Sequence, residues 1–382
     1  MRMSVILPKV KPDVYDYPDT CPYEECDGHT FQPHGTKGEV KPIRDVKHRQ
    51  VRAYRVRCLK CGRTFRVYPQ GVSHDQQSDR LKGLSVLLYV LGLSYGAVED
   101  TLAALGVAIA RSTVYANVQD AGVVSREIRK RKLATGQKRE RIGADATYVN
   151  VKGTMTGVQV VLDDETGELL GLTIEDSENY ADVLQAVQEV SEAVHAEVIV
   201  SDDLNAYKKV ADMLGLDHQI CRNHVKRNVD ELATALTEQL QEAGSPPEGT
   251  DLSHGQVVAD LEQLGQLVRE RPKDGDDQLA AMYERYKGVV QPPVGQHHSV
   301  WYRMRMLITR LWDRWSRLTL DLRRGDMDGT NNAAERLIGW FIKERYRTMR
   351  GYKRTESVLN VVSVTAQMGV CPGSYDMSAL YA

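Results

Sequence analysis

The sequence predicts an α/β fold divided among more than one domain, and three observations lead to this prediction. The chain has 382 residues, which exceeds the usual size of one domain, so we expect two or three. Hydrophobic residues make up 42% and charged residues 27%, as in folded globular proteins. From Ile142 onward, alternating strand patterns and amphipathic helical patterns follow one another, which is typical of α/β architecture.

Neither a membrane span nor a secretory signal is predicted. No run of about 18 apolar residues is present, and a transmembrane helix needs one. The N-terminal apolar stretch is short and is interrupted by Pro8 and Pro12, unlike a secretory signal. We therefore expect a cytoplasmic protein with no membrane partner, associated with the nucleoid if it binds DNA.

Charge is distributed unevenly along the chain, although the net charge is only −2. Residues 41–82 contain 12 Lys and Arg against 3 Asp and Glu, and residues 303–354 contain 14 against 6. Residues 154–207 contain 13 acidic residues and no Lys or Arg. One basic run alone is equally well explained as a solvated surface. Two basic runs on either side of an acidic segment favour a protein that holds both phosphates and metal ions.

Residues 1–70 are predicted to form a zinc ribbon, because two cysteine pairs flank strand patterns in this segment. The four cysteines are Cys21, Cys26, Cys58 and Cys61. In a cytoplasmic chain such pairs indicate metal ligands before disulfides, and Zn²⁺ prefers four tetrahedral ligands of this kind. The first pair encloses four residues where two are commoner, so His29 or His34 is an alternative ligand. The zinc would be structural, because so short a segment buries little core.

Residues 71–140 are predicted to form a helix-turn-helix DNA-binding domain followed by a basic linker. Three short helical patterns occupy residues 79–121, and the third begins with polar residues. Two short helices around a tight turn favour a helix-turn-helix, and a generic three-helix bundle is the alternative. The basic stretch 126–141 is interpreted as the linker. The residues expected to contact DNA are Arg111, Ser112, Thr113, Tyr115 and Asn117.

Residues 141–382 are predicted to form a catalytic domain. The patterns give three strands, a helix, a strand, a helix and a strand, which is the order of a ribonuclease-H-like core. A helical insertion follows at about residues 235–322, interrupted by segments rich in Pro and Gly. From Thr330 onward the chain returns to a long, strongly basic helix. The predicted fold is thus a ribonuclease-H-like α/β core with a helical insertion, preceded by a zinc ribbon and a helix-turn-helix.

Three acidic residues are candidates for a catalytic metal site. Asp145 lies in the first strand of this core, Asp202 ends a short apolar strand, and Glu335 lies early in the basic helix. Three such carboxylates can hold two Mg²⁺ or Mn²⁺ ions, which stabilise the attacking and leaving oxygens of phosphoryl transfer. Each residue has another interpretation. Asp145 could be a polar strand-end residue, Asp202 or Asp203 could cap a helix, and Glu335 could close a capping box with Asn332.

Cys221 and His224 form a further candidate element. Their spacing of three residues places them on one face of a helix. The functional interpretation is an element beside the metal ions in which His224 reaches the DNA backbone. The alternative is a half-buried cysteine and a surface histidine without a shared role.

Four segments together are similar to one known family. They are GADATYVNV, VIVSDDLNAYKKVADML, QICRNHVKRNV and TNNAAERLIGWFIKERYRTMRGY. With these segments the sequence resembles the DDE transposases of prokaryotic insertion sequences, most closely those of the Mutator-like type. The resemblance places the catalytic triad on Asp145, Asp202 and Glu335, because the family's second aspartate follows a serine. The family's C-x2-H motif matches Cys221 and His224.

The resemblance implies a DNA transposase that binds the ends of its element and catalyses metal-dependent strand cleavage and strand transfer. Its cofactors would be Mg²⁺ or Mn²⁺ and a structural Zn²⁺. Its partners would be double-stranded DNA, as terminal inverted repeats and target, and a second copy of the chain in a homodimer on DNA. Near the cut, DNA contacts are expected from His224, Arg336, Lys343, Arg345 and Arg347. Two alternatives are an inactive DNA-binding regulator and a ribonuclease-H-like nuclease without strand transfer.

Overall fold

Seven short strands make up the N-terminal part of the protein. The computed structural model describes residues 4–35, 37–175, 179–242, 244, 246, 250–294, 297–349, 351–369 and 374–381. The strands are β1 (Val5–Ile6), β2 (Lys11–Tyr15), β3 (Phe31–Pro33), β4 (Glu39–Pro42), β5 (Gln50–Cys58), β6 (Thr64–Val67) and β7 (Pro69–Gln70). Strand β5 is central, since it pairs antiparallel with β3, β4 and β6. The β5–β6 pair is the strand–knuckle–strand unit that the alternating patterns predict.

Three helices follow the strands. They are α1 (Asp79–Val90), α2 (Tyr95–Ala104) and α3 (Arg111–Ala134). The first two begin where a serine side chain accepts a hydrogen bond from a backbone N–H two or three positions into the helix, with Ser78 and Ser94 as the caps. Helix α3 starts without a side-chain cap and runs for 24 residues, so its stability depends more on packing than on capping.

A five-stranded mixed sheet forms the centre of the molecule. Its elements are β8 (Arg141–Val151), β9 (Thr154–Asp163), β10 (Leu169–Glu175), α4 (Tyr180–Val194), β11 (Val198–Ser201), α5 (Asn205–Leu214) and β12 (Asp217–Ile220). The strand order is β10-β9-β8-β11-β12. The first three strands are antiparallel, and β11 runs parallel to both β8 and β12. This is the predicted ribonuclease-H-like succession of strands and helices.

A group of helices with its own apolar core is inserted after β12. Its members are α6 (Arg222–Glu242), α7 (His254–Glu270), α8 (Gly275–Tyr286), α9 (Val300–Leu318) and α10 (Leu320–Arg324). Helix α6 starts directly after β12 and contributes to the inserted core, so the helical region begins earlier than the predicted residue 235. Residues 243, 245, 247–249, 295 and 296 of the predicted insertion lie outside the described residues.

The predicted long basic helix is a continuous helical run over residues 332–347 with a π-helical turn inside it, and a separate helix follows it. The elements of this C-terminal part are α11 (Asn332–Leu337), a π-helical turn (Ile338–Lys343), α12 (Glu344–Arg347), α13 (Thr355–Gly369), β13 (Tyr375–Asp376) and a final 3₁₀ turn (Met377–Leu380). Strand β13 pairs in parallel with β1, which joins the two described ends of the chain. π-Helical turns are rare and often lie at functional sites.

Helices α1–α3 share one hydrophobic core with the central sheet, α11 and α13. Helix α3 packs along α13, where a Cβ added at Gly122 would lie 2.4 Å from the Cβ of Asn360. Arg126 donates a hydrogen bond to Asn360, and Arg129 donates one to Ser363. The prediction that the basic stretch from residue 126 is a linker is therefore wrong for residues 126–134. These residues continue α3, because Arg and Lys are good helix formers and α13 covers one side of the helix.

Candidate active site

Asp145 lies in β8, and Asp202 directly follows the neighbouring strand β11. Gly143 of β8 pairs with Val200 of β11, and each aspartate follows its member of this pair by two residues. Neighbouring strands lie about 4.8 Å apart, so the two aspartates are neighbours in the fold. Because side chains alternate along a strand, Asp145 faces away from the core that the sheet forms with α4 and α5, which contains Ala144. Asp202 lies within electrostatic reach of His224, whose pKa the Asp145 carboxylate also raises.

Asp202 and Asp203 occupy opposite environments although they are adjacent in sequence. The Asp203 carboxylate accepts hydrogen bonds from Arg310 and Arg314 of α9, so its charge is neutralised by the inserted helices. Asp202 accepts a hydrogen bond from the backbone N–H of Leu204 at 3.0 Å. Burial raises the pKa of Asp202, although this N–H and the nearby His224 oppose the effect. Of the two, Asp202 is the one directed towards the candidate site.

Glu335 lies on α11, on the same side of the sheet as the two aspartates. Its carboxylate oxygen is 3.5 Å from Nε2 of His224, which extends from the first turn of α6. The capping-box interpretation of Glu335 is wrong in this structure, because the helix is capped at Asn331 rather than Asn332 and no side-chain cap hydrogen bond is formed. The Glu335 carboxylate is therefore available for a ligand, and it is partly exposed.

The charges of the candidate site converge on His224. The nearby Cys221 raises the pKa of His224, and the carboxylates of Glu335 and Asp145 add to the effect. Burial alone would raise the pKa of Cys221, but His224 and the backbone N–H of Asn331 lower it. His224 also acts electrostatically on Asp202. The structure thus brings the three predicted carboxylates and the Cys–His element into one neighbourhood.

Asn331 is a residue of this neighbourhood that the sequence interpretation missed. It is fully buried, its side-chain amide donates to the carbonyl of Ala144 at 3.0 Å, and its backbone N–H donates to the Cys221 sulfur at 3.3 Å. Its own carbonyl accepts the backbone N–H of Glu335 at 3.0 Å. Asn331 therefore joins the three segments that carry Asp145, Cys221 and Glu335. The adjacent Asn332 fits the N-x-x-E spacing better, so the pattern points to the wrong asparagine.

A buried histidine supports the strand that leads to Asp202. His218 of β12 is hydrogen-bonded through Nε2 to the Ser201 hydroxyl at 2.9 Å, and that hydroxyl donates to the Asp202 carbonyl. Arg317 donates a hydrogen bond to Nδ1 of His218 at 3.3 Å. This nitrogen must therefore carry no hydrogen, so the imidazole is neutral. Burial, followed by the charge of Arg317, lowers the pKa of His218 to about 3. His218 therefore positions the end of β11 in its neutral form.

The four N-terminal cysteines form a compact sulfur cluster. Their sulfur atoms all lie within 4.8 Å of one another, and those of Cys21–Cys61 and Cys26–Cys58 are 3.8 Å apart. Tetrahedral zinc with Zn–S bonds of about 2.3 Å places its sulfurs about 3.8 Å apart, so the cluster fits a zinc ion. A Cβ at residue 28 would lie 2.7 Å from the Cys58 sulfur, which explains Gly28. His29 is bound instead to the carbonyl of Asp19, and neither His29 nor His34 belongs to the cluster.

The predicted DNA contacts of α3 divide into two groups. Arg111 and Ser112 are exposed at the start of the helix, and Thr113 is half-buried. The prediction for Asn117 is wrong, because it is only 6% exposed and its amide donates to Gln77 and Ser85. Tyr115 is directed into the protein as well, where its hydroxyl is 3.2 Å from that of Ser357 on α13.

The basic residues after Glu335 also divide. Arg336, Lys343 and Arg347 are exposed, as a phosphate contact requires. The prediction that Arg345 contacts DNA is wrong, because it is 4% exposed. Its guanidinium group lies 3.8 Å from the ring centroid of Tyr89 and donates to the carbonyl of Leu93. Arg345 thus fastens the segment after the π-helical turn to α1.

The strand order of the sheet and the succession of strands and helices define the class, a ribonuclease-H-like α/β protein. Residues 81–350, more than two thirds of the chain, match the model of the family described as Transposase IS66 family. The chain therefore belongs to the IS66 family of transposases. The predicted insertion-sequence transposase is confirmed at this level, whereas the Mutator-like type is wrong, since IS66 is a different family.

Two solved structures are also similar to part of the chain. The catalytic core domain of HTLV-2 integrase in complex with magnesium is 12% identical, with a TM-score of 0.21, over 34% of this chain and 84% of that chain. The intasome of simian T-cell lymphotropic virus in complex with PP2A regulatory subunit B56 gamma is 13% identical, with a TM-score of 0.21, over 42% of this chain and 59% of that chain. The comparison with curated proteins finds no match. Within the described ranges, no helix combines the length and apolar character needed to cross a bilayer.

Proposed function

We propose that this protein binds the terminal inverted repeats of its element and cleaves and joins DNA strands with Asp145, Asp202 and Glu335. The observation that carries the proposal is the placement of two aspartates at neighbouring strand positions with Glu335 on the same side of the sheet. Membership of a transposase family supports it. Strand cleavage, strand transfer and end binding are the parts of this function that experiment has to test.

Divalent metal ions such as Mg²⁺ or Mn²⁺ fit these residues. Asp202 is a half-buried carboxylate, and the hydrogen bonds of Arg310 and Arg314 go to Asp203, so a bound cation would offset the desolvation that raises the pKa of Asp202. Mg²⁺ prefers carboxylate oxygens and retains several waters, so three carboxylates suffice to hold it. When bound, such ions supply Lewis-acid stabilisation of the attacking and leaving oxygens in phosphoryl transfer.

The remaining residues of the site are assigned to DNA positioning. Arg336, Lys343 and Arg347 present exposed cations along the helical run that begins with α11, and they would hold phosphates by charge without reading sequence. His224 lies 3.5 Å from the Glu335 carboxylate and is assigned to the same phosphate backbone. Asn331 keeps Glu335 in register with the strand that carries Asp145.

End recognition is assigned to the N-terminal part of the chain. The cysteine cluster would hold a structural zinc, and Arg111, Ser112 and Thr113 are the candidates on α3 that remain accessible. An element has two ends that must be processed together, and a homodimer on DNA would place one end in each active site. The sequence predicts five DNA-contacting residues on α3. This proposal keeps the three at the start of the helix.

The test is an incubation of the purified protein with duplex DNA that carries the inverted repeats flanking its gene. In Mg²⁺ we expect strand cleavage at the repeat end and joining of a pre-cut end to plasmid DNA. Cleavage without joining would favour the nuclease alternative. Specific binding without cleavage would favour an inactive regulator, and either outcome would contradict the proposal. The matched control is the same DNA with scrambled repeats, which should be neither bound specifically nor cut at a defined position.

A further inference from the structure

Cys221, His224 and Glu335 form a ligand group that differs in chemistry from the aspartate pair. One donor atom from each side chain lies within 4.8 Å of the others. Within the described residues, this group and the four N-terminal cysteines are the sets that meet this criterion, and Asp145 and Asp202 belong to neither. A thiol, an imidazole and a carboxylate together suit zinc and related transition metals better than Mg²⁺, which prefers oxygen ligands alone.

The spacing of His224 and Glu335 suits two ligands of one ion. Nε2 of His224 and Oε1 of Glu335 are 3.5 Å apart, which is longer than an ordinary hydrogen bond between these groups. Tetrahedral zinc with bonds of about 2.0–2.2 Å to nitrogen and oxygen holds these two atoms about 3.4 Å apart. The pair is therefore already at the separation that a shared ion would impose.

The Cys221 sulfur accepts a hydrogen bond from a backbone N–H, as metal-bound thiolates commonly do. Cys221 is fully buried and directly precedes α6, whose N-terminus favours the thiolate form. The backbone N–H of Asn331 donates to the sulfur at 3.3 Å. Such donors orient metal ligands and strengthen binding. Asn331 is fixed in turn by the Ala144 carbonyl, so the sulfur is held from outside the ligand group.

We propose that Cys221, His224 and Glu335 bind a zinc ion distinct from that of the cysteine cluster, and that this ion inhibits the enzyme. Binding releases the thiol proton of Cys221 to solvent and leaves a fourth position open. Because Glu335 is shared, zinc at this site withdraws a carboxylate from the catalytic trio. Zinc binding is independent of the proposed function, whereas the inhibition rests on it.

The binding is tested with cobalt as a spectroscopic probe on the full chain. The cysteine cluster is first saturated with zinc, which is colourless and which Co²⁺ displaces poorly because Zn²⁺ binds such ligands more tightly. Added Co²⁺ should then give a thiolate-to-cobalt charge-transfer band for one further ion per chain. The band should be lost in Cys221→Ser and in His224→Gln. It should persist in the matched control Asp202→Asn, which changes a carboxylate outside this group.

Absence of the band in the folded parent protein would overturn the proposal. So would a band that survives both Cys221→Ser and His224→Gln, since the thiol would then be another one, such as Cys371. If Cys221→Ser does not fold, His224→Gln decides alone. In cleavage assays with Mg²⁺, the rate of each protein is expressed relative to its own rate without added zinc. The zinc concentration that halves this rate should be at least tenfold higher for His224→Gln than for the parent. A protein that binds cobalt as described but cleaves no DNA would contradict the proposed function and leave the zinc site standing.

Discussion

At the scale of single residues, one position along the chain separates a candidate ligand from a structural ion pair. Asp202 ends the strand beside Asp145, whereas Asp203 turns towards α9 and is bound by two arginines. From the sequence, Asp202 is preferred to Asp203 as the candidate ligand only because it follows a serine, as the second aspartate of the resembled family does. The structure adds the physical reason, because the charge of Asp203 is already neutralised by Arg310 and Arg314.

Substitution of the two aspartates should therefore have different consequences. We expect Asp202→Asn to abolish strand cleavage with little change in melting temperature, because asparagine keeps an oxygen that can accept the hydrogen bond from the backbone N–H of Leu204. Asp203→Asn should lower the free energy of unfolding by about 2 kcal/mol, because Arg314 loses a largely buried partner. Thermal melting and Mg²⁺-dependent cleavage measure both effects. Full cleavage by Asp202→Asn together with its loss in Asp203→Asn would move the site by one residue.

His218 should make the stability of the fold depend on pH. Its pKa is lowered to about 3 in the folded protein, against about 6.5 in an unfolded chain. Above pH 6.5 the imidazole is neutral in both states. As the pH falls from 6.5 towards 3, only the unfolded chain takes up the proton, so the free energy of unfolding decreases.

The His218→Gln variant isolates this contribution, because glutamine can replace the hydrogen bond to Ser201 but does not titrate. Between pH 7 and pH 5 the parent should lose about 2 kcal/mol more stability than the variant. Denaturant unfolding of both proteins at the two pH values measures the difference. Equal losses in the two proteins would show that His218 is not held neutral by the fold.

At the scale of elements, the contact between α3 and α13 fastens the N-terminal helices to the catalytic sheet. We expect Gly122→Ala to lower the free energy of unfolding by about 2 kcal/mol, because its Cβ would overlap the backbone and Cβ of Asn360. The matched control is Gly96→Ala in α2, where the nearest atom is 4.0 Å away. This change should be neutral or should stabilise the helix by up to about 1 kcal/mol. Similar unfolding curves for the two variants would contradict the close approach of these helices.

The same elements show what the sequence could and could not predict. Local patterns suffice for the hairpin, for α1 and α2, and for the strand and helix order of the core. They fail where a partner lies far along the chain, since α13 is separated from α3 by more than 200 residues. Without that partner, residues 126–134 resemble a charged linker. Arg345 likewise resembles a phosphate contact until its position over Tyr89 is known.

The candidate site was predictable to a similar extent. The acidic residues could be chosen from strand ends and from the family resemblance, because their residue types carry the chemistry. Asn331 could not, since its role depends on contacts with Ala144 and Cys221 rather than on a spacing pattern. The prediction that Asn117 contacts DNA is wrong because its side-chain amide forms hydrogen bonds inside the protein, which the sequence does not reveal.

At the scale of the whole molecule, helices α1–α3 share one hydrophobic interior with the ribonuclease-H-like core, whereas the N-terminal cysteines form a cluster of their own. We expect the purified protein to contain one zinc per chain in the cysteine cluster. The Cys58→Ser/Cys61→Ser double variant should lose this zinc and bind repeat DNA at least tenfold more weakly. Metal analysis and binding titrations at fixed salt measure both effects. Because Cys221, His224 and Glu335 form a second candidate zinc group, the double variant is also analysed with His224→Gln added, and zinc that survives in this triple variant would contradict the assignment of the cysteine ligands.

The central claim is that Glu335 acts as a catalytic carboxylate, and Glu335→Gln tests it most directly. Glutamine keeps the shape and hydrogen-bonding capacity of the side chain but lacks the anionic oxygen that Mg²⁺ requires. The matched control is Glu344→Gln, an exposed glutamate nine residues further along the same helical segment. The measurement is cleavage of repeat-end DNA in Mg²⁺, with melting temperature and DNA binding determined on the same samples. We expect Glu335→Gln to fold and bind as the parent does yet cleave orders of magnitude more slowly, while Glu344→Gln cleaves normally. Near-parental cleavage by Glu335→Gln would contradict the account.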